Sequence, residues 1–426
     1  MPRRIIPVSS GKGGVGKTTF AVNFALTLSR HAPTILVDLD TGTSSVRNSI
    51  PVTIEHDLYH FKRKGVPLRD CISRLDARLD PEGAFRNFGF IAGPRNFIHE
   101  ISNPNADFRR QIAQEINRLP AEYVVLDLRA GLDESVLDFL PYSNSGILVF
   151  TPQHPAATLA ASEIVKAILF RSLRILFGKG SAFFTLPRMD RYFDFINDLL
   201  DRVEDTYDPA LPNLDSFLDE LREALGEHPI LQAIADTLES FRVYYVLNMF
   251  NGVEEGFQRA IVPFVENLTR HVSSRLNVTH LGWVVDDPRI HRANCDGFPA
   301  VLDRRRPVES AKARGVDPVM AELDRLQSAA LGLRRRERRE VERPVPDRPA
   351  KALEPPAPAD LLDGQLQTLK AMYADRTKDT VRENFSYVAY RAMNLMGPSY
   401  GANELGTTHL AAPERLLDWY MSRQPA

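Results

Sequence analysis

Cysteine is nearly absent: Cys71 and Cys295 are the only two in 426 residues, far apart and with no second cysteine at ligand spacing. A disulfide framework or a cysteine-ligated metal centre within one chain is therefore not expected, and a reducing compartment fits. No run of about 18 apolar residues occurs, which argues against a membrane-spanning helix. The opening Met1-Pro2-Arg3-Arg4-Ile5-Ile6-Pro7-Val8 lacks the apolar stretch and cleavage site of a secretory signal, so a cytoplasmic location is expected. Excess charge of either sign is lacking too. Lys and Arg number 53 against 55 Asp and Glu, a formal net charge of -2, so no global positive field draws the molecule onto nucleic acid or an anionic bilayer. Lysine is scarce, 10 against 43 arginines, and a DNA-facing surface would have to be built from arginine. What remains is ordinary: 43% hydrophobic and 25% charged residues describe a soluble globular protein. At roughly 100 to 200 residues per domain the chain holds two to three domains.

Short apolar runs recur at 5–8, 34–37, 88–91, 123–126, 146–150, 243–247 and 280–285. Helical patterns lie between several of them, as in 18–28, where Phe20, Phe24, Ala25 and Leu28 follow one-face spacing. Strands buried on both faces and alternating with helices predict an α/β fold, a doubly wound and mostly parallel sheet. The interval 171–240 breaks the rhythm. Its faces Tyr192, Ile196, Leu199 and Val203, then Leu214, Phe217, Leu221 and Leu225, then Leu231, Ile234, Leu238 and Phe241 predict an inserted helical subdomain, either packed on the core or open to a partner. The sheet domain is expected to span 1–333. An Arg- and Pro-rich linker follows over 334–360, and a small helical C-terminal module over 361–426. In that module Leu362, Leu366, Leu369 and Tyr373 suggest one helix. Thr380 and Glu383 form a capping box for a second, with Phe385, Val388, Ala389, Ala392 and Leu395 or Met396 on its apolar side.

The strongest chemical signal directly follows the first strand: Gly11-Lys12-Gly13-Gly14-Val15-Gly16-Lys17-Thr18-Thr19, then a helix. Gly, four residues, then Gly-Lys-Thr is the phosphate-loop pattern in the strand-to-helix context it requires. Glycines let backbone N–H groups close around phosphate oxygens and the helix N-terminus adds positive potential. Lys17 is placed for the β and γ phosphates, and the Thr18 hydroxyl for Mg²⁺. Lys12 is a second cation where phosphate charge is concentrated. The second strand ends Asp38-Leu39-Asp40, two carboxylates whose spacing suits Mg²⁺ organisation and water positioning; strand-end capping is the competing reading. Four apolar residues precede Asp127 on the fourth strand, as a strand holding Mg²⁺ through water requires. Asn248, at the end of a later strand, offers the donor and acceptor pair that an adenine edge needs, or serves a turn.

With Lys12 the loop resembles the deviant Walker A motif, Lys-Gly-Gly-x-Gly-Lys-Thr, of the MinD/ParA family of P-loop ATPases. The resemblance implies a Mg²⁺-dependent ATPase that forms a homodimer on ATP, with Lys12 reaching the partner's phosphates. It implies further that Asp40 orients the attacking water beside Lys17, that Asp38 lies near Mg²⁺ and the loop, and that Asn248 meets adenine. It continues through 90–94, 146–152 and 282–287 with Pro299, covering about 1–330 apart from the insertion, and is closest in pattern to the FlhG-like branch. That branch's N-terminal activating segment is not matched, since four residues precede the first strand. Arg129 stands where the family has glycine or proline; it either contacts the γ-phosphate or a partner chain, or points to solvent.

The function expected from this is an ATP-hydrolysing switch that controls the positioning or assembly of a polar, flagellar or division-related structure, with a protein partner regulating the ATPase. Alternatives on the same fold are an ATP-dependent biosynthetic ligase, a ParA-like DNA partition ATPase and an iron-sulfur carrier, the last disfavoured by the isolated cysteines. The segment 413–421 reads as a short amphipathic helix with Leu416, Leu417, Tyr420 and Met421 on one side. It either packs on the protein or places the chain peripherally at the inner face of the membrane.

Overall fold

The computed structural model describes residues 4–40, 45–140, 144–185, 188–205, 208–303, 358–374, 376 and 380–397. Most of the expected linker, 334–357, and the expected tail helix at 413–421 lie outside the described residues. Seven strands form one sheet: β1 (Arg4–Ser9), β2 (Thr34–Asp38), β3 (Phe88–Ile91), β4 (Tyr123–Asp127), β5 (Ile147–Phe150), β6 (Arg242–Phe250) and β7 (Asn277–Val285). Their order is β3-β2-β4-β1-β5-β6-β7, and every pairing between them is parallel. Among the described residues, the helices of ten or more residues are α1 (Lys17–Ser29), α2 (Ala106–Ile116), α3 (Pro155–Leu176), α4 (Phe193–Glu204), α5 (Leu214–Leu225), α6 (Pro229–Ser240), α7 (Val262–His271), α8 (Pro358–Ala374) and α9 (Val381–Leu395).

Side chains alternate across each strand, so each run supplies two layers. Ile5, Ile35, Val37, Val124 and Leu126 face one core, while Ile6, Val8, Leu36 and Val125 face the other. The first core contains α2, α3, α7 and the apolar faces of α4 to α6. Ile196, Leu199, Val203, Phe217, Leu221, Ile234 and Leu238 are all buried there, so the inserted helices rest on the sheet's own helices through these faces. The second core is built on α1.

The C-terminal helices divide between the two faces. Leu369 and Met372 of α8 enter the first core; Val381, Phe385, Val388, Ala389, Ala392 and Met396, on α9 and its C-cap, enter the second. The capping box is formed: Thr380 Oγ1 accepts from Glu383 N at 3.3 Å and Glu383 Oε2 accepts from Thr380 N at 2.6 Å. These helices also cover the edge strand. Asn384 Oδ1 accepts from Val285 N at 3.1 Å, Gln365 donates to the Val278 carbonyl at 2.8 Å, and Arg391 donates to the His280 carbonyl at 2.8 Å. At the opposite edge Ser73 pairs antiparallel with Phe90. An uncovered strand edge is a template for pairing with other chains, and both edges here are occupied. Among the described residues no helix is long and apolar enough to cross a membrane.

Candidate functional site

A parallel sheet puts all its strand C-terminal ends on one side, and ligands bind there where the strand order reverses. Here β1 lies between β4 and β5, and the loop leaving β1 is Gly11–Gly16. Glycine is required at two of its positions for different reasons. A Cβ on Gly11 would lie 2.3 Å from the Ala160 carbonyl carbon, so α3 can seat against the loop only without a side chain there. Gly16 has φ 80°, and a Cβ on it would meet the Asn248 amide nitrogen at 2.3 Å. Gly13 and Gly14 are exposed at the loop's crest beside Lys12, whose side chain is also exposed. The Ser10 hydroxyl donates to the Lys12 carbonyl at 2.9 Å, and Gly131 N, in the loop after β4, donates to the Ser10 carbonyl at 3.0 Å.

Four of the sequence-derived residues converge. Lys17 Nζ lies 2.6 Å from Asp127 Oδ1 and 3.4 Å from Asp40 Oδ2, while Thr18 Oγ1 donates to Asp127 Oδ2 at 2.7 Å. Burial opposes the Lys17 charge most strongly. The Asp127 and Asp40 carboxylates outweigh it and hold the Lys17 pKa above its ordinary value. Asp127 is fully buried at the end of β4, and desolvation pushes its pKa up despite the Lys17 and Thr18 contacts. Asp40, just beyond β2, is partly exposed and faces Lys17.

Asp38 lies behind this cluster. It is fully buried, its Oδ2 accepts from Gly93 N at 3.2 Å, and burial, then the nearby Asp127 charge, push its pKa up to about 8. Asn248 donates its amide to the Val15 carbonyl at 2.7 Å and so grips the phosphate loop from β6. Thr19 faces a neighbour that sequence reasoning missed: its hydroxyl donates to Asn294 Oδ1 at 3.2 Å, on the helix Pro288–Cys295. No local pattern singles out Asn294, because the contact spans 275 positions. Arg129 does not point freely to solvent. It is half-buried and donates to the Ser102 carbonyl at 3.0 Å, tying the loop after β4 to the turn His99–Ser102. This corrects the solvent-facing reading, and the cause is the packing of 98–105 beside that loop.

The donor set fits Mg²⁺. That ion takes oxygen ligands and keeps waters and substrate phosphates in its shell, and Thr18 Oγ1 with Asp127 Oδ2 present two buried or half-buried oxygens side by side. Among the described residues no group of three or more His, Cys, Asp or Glu side chains is placed to hold a metal unaided. Asp38, turned to Gly93, is thus better sited to support Asp127 than to complete a protein-only cage.

A family described as the CobQ/CobB/MinD/ParA nucleotide binding domain matches residues 6–299. The chain is 26% identical over 153 residues to a putative septum site-determining protein MinD of Oltmannsiellopsis viridis, covering 36% of this chain and 46% of that protein. It is 27% identical over 168 residues to the antiactivator FleN of Pseudomonas aeruginosa, covering 39% of this chain and 57% of that protein. The chain spans about half the length of the curated relatives it matches. Among solved structures, the septum site-determining protein MinD complexed with Mg-ADP from Pyrococcus horikoshii is 17% identical, covering 70% of this chain and 88% of that chain at a TM-score of 0.40.

Proposed function

The chain belongs to the CobQ/CobB/MinD/ParA nucleotide-binding family, and from that premise we propose that it is a Mg²⁺-dependent ATPase whose ATP-bound form is a homodimer. As a nucleotide-timed switch it would position or assemble a cellular structure, under the control of a protein partner that stimulates hydrolysis. The observation that carries this reading is the convergence of Lys17 and Thr18 on Asp127, at 2.6 and 2.7 Å, with Asp40 on the solvent side of the same lysine.

Phosphoryl transfer to water needs little covalent help from the protein; positioning and charge stabilisation are the task. The Gly11–Gly16 amides and Lys17 bind and orient the β and γ phosphates. Thr18 and Asp127 would hold the cation. Bound Mg²⁺ supplies Lewis-acid neutralisation of charge on the phosphate oxygens. Asp40, the one carboxylate of the cluster open to solvent, orients the attacking water. Lys12, exposed at the crest of the loop, would reach the phosphates of a second copy.

Two measurements test the reading. Lys17→Ala should abolish ATP binding by calorimetric titration. Asp40→Ala with MgATP should sediment as a dimer and return to monomer when Lys12→Ala is added; a double-digit loss of neither property in these variants would sink the proposal.

A further inference from the structure

Every residue of α1 except Thr18 and Thr19 is buried, although a sheet covers only one side of a helix. The other side is covered by α9 and by the turn Ala300–Leu302. Phe385 of α9 sets its ring 6.1 Å from Phe20, which stacks on Phe24 at 5.2 Å. Phe20 lies one turn after Lys17.

A polar path runs beside this apolar one. The buried Asn23 donates to the Thr19 carbonyl at 2.7 Å and accepts from Val301 N at 2.8 Å. The Val301 carbonyl in turn accepts from Arg382 of α9 twice, at 2.7 and 3.1 Å. A second branch starts at Asn384, which holds Val285 N at the end of β7. Asp287, two residues on, caps the helix whose Asn294 meets Thr19. Both branches therefore end on the first turn of α1, and α9 is their common origin.

We propose that α9 is part of the nucleotide site's framework, with Arg382 and Phe385 acting as positioning residues that set the seat of α1 and, through it, of Lys17 and Thr18. The proposal rests on the ATP reading. The physical reason is stiffness: α1 moves as a rod, so a shift of its outer packing is delivered at its N-terminus. Misplacing a binding group by about 1 Å can lower its effectiveness by a large factor. Docking of α9 and binding of ATP are then linked, and the linkage is reciprocal. Whatever displaces α9 lowers ATP affinity, and ATP holds α9 in place. The device reads the state of the C-terminal region at the phosphate loop.

The test uses the full-length chain. Arg382→Ala and Phe385→Ala should each weaken MgATP binding roughly 2- to 30-fold, the range of coupling energies carried by packed networks. Phe385→Leu should restore most of the loss, and Tyr390→Ala, on the exposed side of the same helix, should leave binding unchanged. Hydrogen exchange supplies a readout that a merely structural role would not move. Saturating MgATP should slow exchange of the wild-type 381–395 amides, and Arg382→Ala should speed exchange at 17–23 more than in the inserted helices. Folded variants with wild-type ATP affinity would overturn the proposal. If the variants do not fold, unchanged exchange at 381–395 on adding ATP to the wild type overturns it alone. A wild type that binds no ATP overturns the ATPase reading instead, and this inference with it.

Discussion

The Asn248 amide lies 2.7 Å from the Val15 carbonyl, so the last buried residues of β6 hold the phosphate loop directly across 233 positions of sequence. The contact uses one N–H of the side chain. Under the proposed function, the second N–H and the oxygen would supply the donor and acceptor pair that an adenine edge requires. The next residue, Met249, has φ 52°, an uncommon conformation for a side chain of its kind, and lies where β6 shifts register against β7 between Leu247 and Phe250.

Asn248→Ala should weaken ATP binding by about 5- to 150-fold, the cost of roughly 1 to 3 kcal/mol for leaving a buried partner unpaired. Its advantage over GTP should narrow. Asn248→Asp should do worse, because a carboxylate then faces the Val15 carbonyl oxygen. Competition titration with both nucleotides measures the effect, and wild-type affinities in both variants would remove Asn248 from the site.

Asp38 makes stability pH-dependent in a stated direction. Its folded pKa of about 8 exceeds the unfolded value near 3.8, so the folded state holds a proton that the unfolded state has released between those values. Stability from this group is fully present below about pH 4 and is lost as pH rises through 8, at up to about 1.4 kcal/mol per pH unit. Asp38→Asn should flatten that slope, and in nucleotide-free protein it should be the more stable form at pH 8. Thermal unfolding at pH 5, 6.5 and 8 decides it; parallel curves for both proteins would show that Asp38 does not carry the effect.

Asp40→Ala should retain ATP binding and hydrolyse it at least about 100-fold more slowly, the scale of losing a positioned catalytic group. Lys17 stays paired through Asp127, so the loop should keep its form. Single-turnover hydrolysis is the measurement, and an unchanged rate would remove Asp40 from the role.

The end of α9 offers a sharp stability contrast between adjacent residues. Met396 is 1% exposed and Leu395 40%, so Met396→Ala should cost about 2 to 5 kcal/mol and Leu395→Ala under about 0.5. Denaturant titration would show it. Equal effects would mean that the helix ends in another register.

The sheet, its buried strands and the phosphate loop are legible in the sequence because their signals are local. A parallel strand covered on both faces is an apolar run, and a phosphate loop needs its glycines and lysine within nine consecutive positions. The carboxylates Asp40 and Asp127 follow from strand ends alone, since parallel strands bring those ends to one side. The Thr380 and Glu383 box and the apolar face of α9 are equally local. Where α9 docks is not. Its amphipathic pattern states that a face must be buried and not against which partner, so only the tertiary structure joins Arg382 to Val301 and Phe385 to Phe20. The same holds for Asp38: its place on β2 is local, whereas its raised pKa comes from complete burial beside Asp127, which outweighs the lowering effect of an amide 55 positions away. Periodicity reports what each segment needs. Burial, desolvation and contacts between distant segments arise only when those needs are met together.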